Sequence, residues 1–120
     1  MDTSSEYVED PNLVGAVVYM APEFFDEDEP VYKKDVDVWA FGCVAYELFH
    51  LKRLFPGSKV PIQIKNVCND KREPFSDDCP AEFQQLIVDC TKKNPKERLT
   101  ISNVVNRITQ IKDSVCNLNG

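Results

Sequence analysis

The residues able to do chemistry in this chain are few and scattered. Its cysteines stand at 43, 68, 79, 90 and 116, separated by 25, 11, 11 and 26 residues, and no two form a C-x-x-C pair. The single histidine, His50, has no close cysteine pair with which to complete a zinc set. The cysteine count is odd, and most of the five lie in apolar patterns. That reads as free thiols acting as small buried hydrophobes in a reducing compartment, with no metal and no disulfide framework. The run Asp26-Glu27-Asp28-Glu29, closed by Pro30, reads as a solvated loop rather than a site for a basic partner. Asp37 is different. It stands inside the most apolar stretch of the chain, where a buried carboxylate without partners is costly.

The elements that must position these groups read as helices. From Val36 to Phe49, 11 of 14 residues are apolar, interrupted only by Asp37, Gly42 and Glu47. A surface helix has one apolar stripe. A helix over 35–50 that is apolar nearly all round must be buried on most sides. Pro22 can open a short helical turn. Pro61 starts a second helix ending at Asn69-Asp70-Lys71, and Pro80 a third carrying Phe83, Leu86, Ile87 and Cys90. Asn94-Pro95 stops that helix. Thr100 is a good N-cap for a last helix with Ile101, Val104, Val105, Ile108, Ile111 and Val115 on one face. No strand pattern of useful length occurs. The expected fold is all-α, built around a central buried apolar helix.

Size and charge bound the function. The chain has 120 residues, 42% of them hydrophobic and 28% charged, which is globular and fits one small domain or a piece of a larger one. Net charge is −6 and the pI about 4.7, which argues against a nucleic-acid-binding surface. The longest uncharged stretch is the 12 residues from Pro11 to Pro22, with two prolines and a glycine. A spanning helix needs about 20 apolar residues. The first six residues lack the basic start and apolar run of a signal peptide. An intracellular, cytoplasmic protein is expected.

Four segments, taken in order, resemble one family, the eukaryotic protein kinases. Gly15-Ala16-Val17-Val18-Tyr19-Met20-Ala21-Pro22-Glu23 looks like the end of a kinase activation segment. Lys34-Asp35-Val36-Asp37-Val38-Trp39-Ala40-Phe41-Gly42, continuing to Tyr46-Glu47-Leu48, is similar to the central helix of the large lobe. Cys90, with Asn94-Pro95-Lys96-Glu97-Arg98-Leu99-Thr100, is similar to the segment between the last two kinase helices. Between them, the helix near 60–69 lies where kinases place a substrate- and partner-facing helix. The resemblance covers about residues 10–112. It implies a polar activation-loop-like segment at 1–14, a partial kinase domain at 15–113 and a tail at 114–120.

The resemblance also implies roles. Glu23 and Arg98 would form a structural ion pair tying the activation segment to the lower helices. Asp37 would anchor the catalytic loop by accepting its backbone N–H groups. Gly15, Ala16, Tyr19 and Glu47 would belong to the substrate loop and its support. Thr3, Ser4, Ser5 and Tyr7 are candidate phosphosites, although ordinary solvated loop residues would look the same. Serine/threonine kinases usually carry threonine where this chain has Ala16, and tyrosine kinases tryptophan where it has Tyr19. Tyr19 therefore favours the serine/threonine or tyrosine-kinase-like branch, while Ala16 departs from the serine/threonine pattern.

The chemical parts of a kinase are not in the sequence. Glycines stand only at 15, 42, 57 and 120, so no G-x-G exists; His50 is followed by Leu51-Lys52, and Phe41-Gly42 by position lies in the central helix. The chain has no catalytic residue or metal site of its own, and ATP and magnesium are implied for an intact family member only. Its expected role is to position protein substrate and anchor the activation segment. The alternative is a noncatalytic kinase-derived interaction module using the 50–80 region. Expected partners are protein substrates or regulatory proteins, with no nucleic acid and no membrane. In the family, part of the central helix is covered by segments that precede Met1. The face carrying Asp37 is therefore expected to be under-covered, leaving apolar surface for self-association.

Overall fold

A computed structural model describes residues 19–119, without the side chains of 115 and 117–119. Four α-helices carry the fold: α1 (Lys33–His50), α2 (Val60–Cys68), α3 (Ala81–Cys90) and α4 (Ile101–Asn119). Two short 3-10 turns, Pro22–Phe25 and Pro95–Glu97, sit before α1 and between α3 and α4. No strand element occurs among the described residues, in keeping with the all-α expectation.

The helix ends follow local chemistry. Thr100 caps α4, its Oγ1 accepting from the Asn103 N–H at 3.1 Å. Asn94 caps the 3-10 turn, its Oδ1 accepting from the Lys96 N–H at 3.0 Å. Pro61 lies in the first turn of α2, where its missing N–H costs nothing, and Pro80 is the N-cap of α3 rather than its first residue. Helix α1 stops at Leu51, whose φ of 58° puts a leucine in the left-handed region while its N–H closes onto the Glu47 carbonyl at 2.8 Å. Helix α4 continues to Asn119, through most of the segment 114–120 expected to be a tail.

Helix α1 is the centre of the core. Val36, Val38, Trp39, Cys43, Ala45 and Tyr46 are buried, and α3 and α4 pack on it. Helix α2 instead packs chiefly on the Pro22–Phe25 turn, sending Val67 into the same core. The contact with α3 is tight at Gly42: a Cβ there would lie 2.6 Å from Thr91 Cγ2 and 2.9 Å from Cys90 Cβ. The expectation that α1 is buried on most sides holds for one flank only. Val44, Leu48 and Phe49 are exposed, Leu48 to 74%.

Asp37 corrects the expectation of a buried carboxylate in need of partners. It is half exposed and pairs with Lys33 Nζ at 3.1 Å, one turn earlier on the same helix. The reason is its register. Asp37 shares a stripe with Phe41, Val44 and Leu48, and this is the flank of α1 left open.

Candidate functional site

The strongest polar constellation joins residues 75 apart in sequence. Arg98 and Glu23 form a two-pronged pair, Nη1 donating to Oε2 and Nη2 to Oε1, each at 2.7 Å. Both side chains are almost fully buried. The remaining guanidinium donors are also engaged: Nε with the Lys92 carbonyl at 2.7 Å, Nη1 with the Asp35 carbonyl at 3.1 Å and Nη2 with the Lys93 carbonyl at 3.3 Å. The guanidinium carbon lies 4.9 Å from the ring centre of Trp39, a cation–π contact in a dry setting. Trp39 in turn stacks on Phe55 at 5.3 Å. Only arginine could serve here, because the planar fork meets a carboxylate and several carbonyls at once. The carboxyl of Asp35 is raised above its ordinary range, first by burial, with Arg98 working in the opposite direction.

A second polar link sits at the far end of α1. The Tyr19 hydroxyl donates to Glu47 Oε1 at 2.8 Å, joining the segment before the 3-10 turn to the last turn of the helix. That bond raises the phenol above its usual range, with burial and the Glu47 charge adding to it. Glu47 is half-buried.

Sequence reasoning missed two residues that hold this end together. Arg72 donates to Thr91 Oγ1 at 2.9 Å, to the Thr91 carbonyl at 3.0 Å and to Asp70 Oδ1 at 2.6 Å, and lies 5.1 Å over Phe55. His50 stacks on Tyr46 at 3.8 Å between ring centres and accepts from the Ser76 N–H at 3.0 Å, so it is a structural residue of the loop before α3. Neither has a spacing signal, because both reach partners about 20 or more residues away. The described cysteines are free, and burial pushes the Cys43 and Cys90 thiols up to about 12, which leaves them unreactive near neutral pH.

Gly15 and Ala16, and the candidate phosphosites Thr3, Ser4, Ser5 and Tyr7, lie outside the described residues. So does the segment Leu13 to Val18 that leads into Tyr19.

Residues 2–108 match the model of the protein kinase domain. The chain belongs to the protein kinase family. It corresponds to the C-terminal part of the kinase domain, in the order the four motifs predicted. Similar proteins include serine/threonine-protein kinase Nek8 of Danio rerio, 33% identical over 93 residues. They also include serine/threonine-protein kinase Nek5 of Homo sapiens, 30% identical over 94 residues, and the dual specificity protein kinase shkE of Dictyostelium discoideum, 31% identical over 99 residues. These alignments cover 78%, 78% and 81% of this chain but only 13%, 14% and 14% of the relatives. The chain thus spans a small share of the kinases it matches.

Intact kinases of this family use ATP and magnesium. Among the described residues no group of three His, Cys, Asp or Glu side chains is placed to hold a metal ion. Ala40-Phe41-Gly42 is helical, within α1, rather than a metal-binding loop. No helix among the described residues is long and apolar enough to cross a membrane.

Proposed function

We propose that this chain does the positioning work of a kinase large lobe: it anchors the activation segment and supports the loop that seats protein substrate. The observation that carries the reading is the pair of ties on one short segment. Glu23 holds it to Arg98 in the interior, and Tyr19 holds it to Glu47 at the surface, only four residues apart. A backbone pinned at both points is a rigid seat next to a half-exposed carboxylate. By the family resemblance Gly15 and Ala16 are assigned to the substrate loop, Asp37 to the anchoring of a catalytic loop, and Thr3, Ser4, Ser5 and Tyr7 to regulation by phosphorylation. The natural partners are intracellular protein substrates or regulators. The substrate test is binding of a basic peptide library by the 120-residue chain and by Glu47→Gln. Selection of basic residues that the Gln variant loses supports the reading, and identical selection by both overturns it.

The chain alone is inferred to be inactive, because the glycine-rich loop, the paired lysine, the catalytic-loop aspartate and the metal-binding aspartate are missing. Calorimetry with magnesium-ATP is expected to show no saturable binding. Micromolar binding by the isolated chain contradicts this inference. The noncatalytic interaction module keeps one observation in its favour: Val60 and Ile62 present apolar side chains to solvent at the start of α2. Capture of a protein partner lost on Ile62→Asp, with no peptide selection at Glu47, would favour the module.

A further inference from the structure

His50 is the single histidine of the chain, and both of its ring nitrogens face backbone groups whose roles are fixed. Nδ1 lies 3.0 Å from the Tyr46 carbonyl oxygen, which can only accept. Nε2 lies 3.0 Å from the Ser76 N–H, which can only donate. One form of the imidazole satisfies both: the neutral ring, with its proton on Nδ1 and a lone pair on Nε2. A second proton would land on Nε2 and set N–H against N–H.

The bond holds the segment 74–79, which leads into α3, against the end of α1. Tyr46 shares that work, its hydroxyl donating to the Pro74 carbonyl at 2.6 Å. Phe75 stands between the two tied residues, its ring centre 5.6 Å from that of Tyr46 and 5.9 Å from that of His50. Ser76 then opens the turn before α3: its carbonyl accepts from the Cys79 N–H at 3.0 Å and its hydroxyl from the Asp78 N–H at 3.2 Å. Losing the His50 bond frees the amide at the head of this turn while Pro74 stays tied.

The neighbouring groups leave the switching to the imidazole. Lys52 and Asp78 line the same hollow of about 510 Å³, and Lys52 is held by Glu73 at 3.0 Å. The Tyr46 phenol and the Cys79 thiol are pushed up by burial, so both stay neutral near pH 7. On α1, Glu47 is engaged by Tyr19, and α3 presents the ring of Phe83 behind Phe49. The ring of His50 is half-buried, so a proton reaches it from solvent.

We propose that His50 is a proton-operated clasp: neutral, it holds the 74–79 segment to the end of α1, and protonated, it releases the Ser76 amide while the rest of the fold stands. The sign follows from the lone pair. The clasp is closed when the ring is neutral and opens as pH falls through the range, about pH 8 to 5, in which histidines take up a proton. The proposal does not depend on the substrate-seating reading.

The test is nuclear magnetic resonance on the 120-residue chain. At about pH 8 the imidazole nitrogen shifts should place the proton on Nδ1, and a proton on Nε2 overturns the proposal. Hydrogen exchange then reads the clasp. The protection factor of the Ser76 amide should fall about tenfold between about pH 8 and 5, the weight of one lost hydrogen bond, while amides within α1 keep theirs. His50→Gln is the control: its carboxamide oxygen can accept from Ser76 but takes up no proton, so its protection should stay level over the same range. Protection that is flat in the parent, or that falls equally in parent and variant, overturns the proposal. So does loss of protection throughout α1 and α3 together, because acid would then be unfolding the chain rather than opening a clasp. If His50→Gln fails to fold, the tautomer and the exchange profile of the parent decide.

Discussion

The two flanks of helix α1 treat a carboxylate in opposite ways. On one flank, Glu23 is brought to Arg98 over Trp39 and sealed from water, with every guanidinium nitrogen engaged. On the other, Asp37 stands half in solvent and, among the described residues, pairs with Lys33. Both are acid–base pairs at hydrogen-bonding distance, but distance does not set their worth. Cover does. Removing one partner of a sealed pair strands a charge in a medium that cannot solvate it, whereas an exposed i, i+4 pair exchanges readily with water. The difference also locates what the fold has completed. The Arg98 flank is sealed by residues of this chain, and the Asp37 flank leaves Val44 and Leu48 exposed.

The largest expected effect tests the sealed flank. Arg98→Met should cost about 3–5 kcal/mol, because Glu23 is left buried and unpaired and three backbone carbonyls lose their donor. Against a typical domain stability of about 5–15 kcal/mol, that leaves the chain marginal at best. Urea unfolding followed by circular dichroism reads it. A cost below about 1 kcal/mol would show that the pair is not sealed in solution, and the contrast between flanks would vanish.

Next comes the packing of α1 on α3. Gly42→Ala gains about 1 kcal/mol of helix propensity. It also places a methyl 2.6 Å from Thr91 Cγ2 and 2.9 Å from Cys90 Cβ. Thr91 cannot swing away, since its hydroxyl donates to the Ile87 carbonyl and accepts from Arg72. The clash, about 1–3 kcal/mol, should outweigh the propensity gain, and the variant should melt lower. A higher melting temperature would mean that α3 yields, and that the covered flank is looser than its burial indicates.

Leu51→Gly should act in the other direction. A leucine with φ of 58° carries a penalty of about 1 kcal/mol that glycine does not, and Leu51 is too exposed to contribute packing in return. A modest rise in melting temperature is expected. A fall would show that its side chain is covered in solution, placing a docked neighbour at the end of the open flank.

What was legible in the sequence divides along the same line. The density of apolar residues from Val36 to Phe49 revealed a central helix, Thr100 and the prolines at 22, 61 and 80 marked element starts, and Asn94-Pro95 marked a stop, because these are local signals. Glu23 and Arg98 carry no local signal across 75 residues, and only the family resemblance paired them. The networks of Arg72 and His50 were invisible for the same reason. The end of α4 was missed because the polar stretch after 113 offers neither a glycine nor a proline before Gly120 to stop a helix. Asp37 was misjudged as buried on its apolar neighbours, whereas the under-covered face on which it stands was expected from the family resemblance. Composition shows that a helix wants cover on every side, but not which side receives it.

The smallest expected effect closes the comparison at Asp37. Asp37→Asn removes the charge but keeps the shape, and the ion pair it breaks is exposed on both sides and screened by salt. A change within about 0.5 kcal/mol is expected, fading as ionic strength rises. Lys33→Met should give the same small value, and the double variant no more than either alone, because the two side chains act only through each other. Sensitivity to concentration is the informative departure. The charge stands on the stripe of Phe41, Val44 and Leu48. If Asp37→Asn proves neutral in dilute solution but shifts unfolding at high concentration, the carboxylate meets a second copy. The open flank is then half of an interface rather than bare surface. A cost of several kcal/mol in dilute solution would instead place Asp37 among buried groups and erase the distinction between the two flanks.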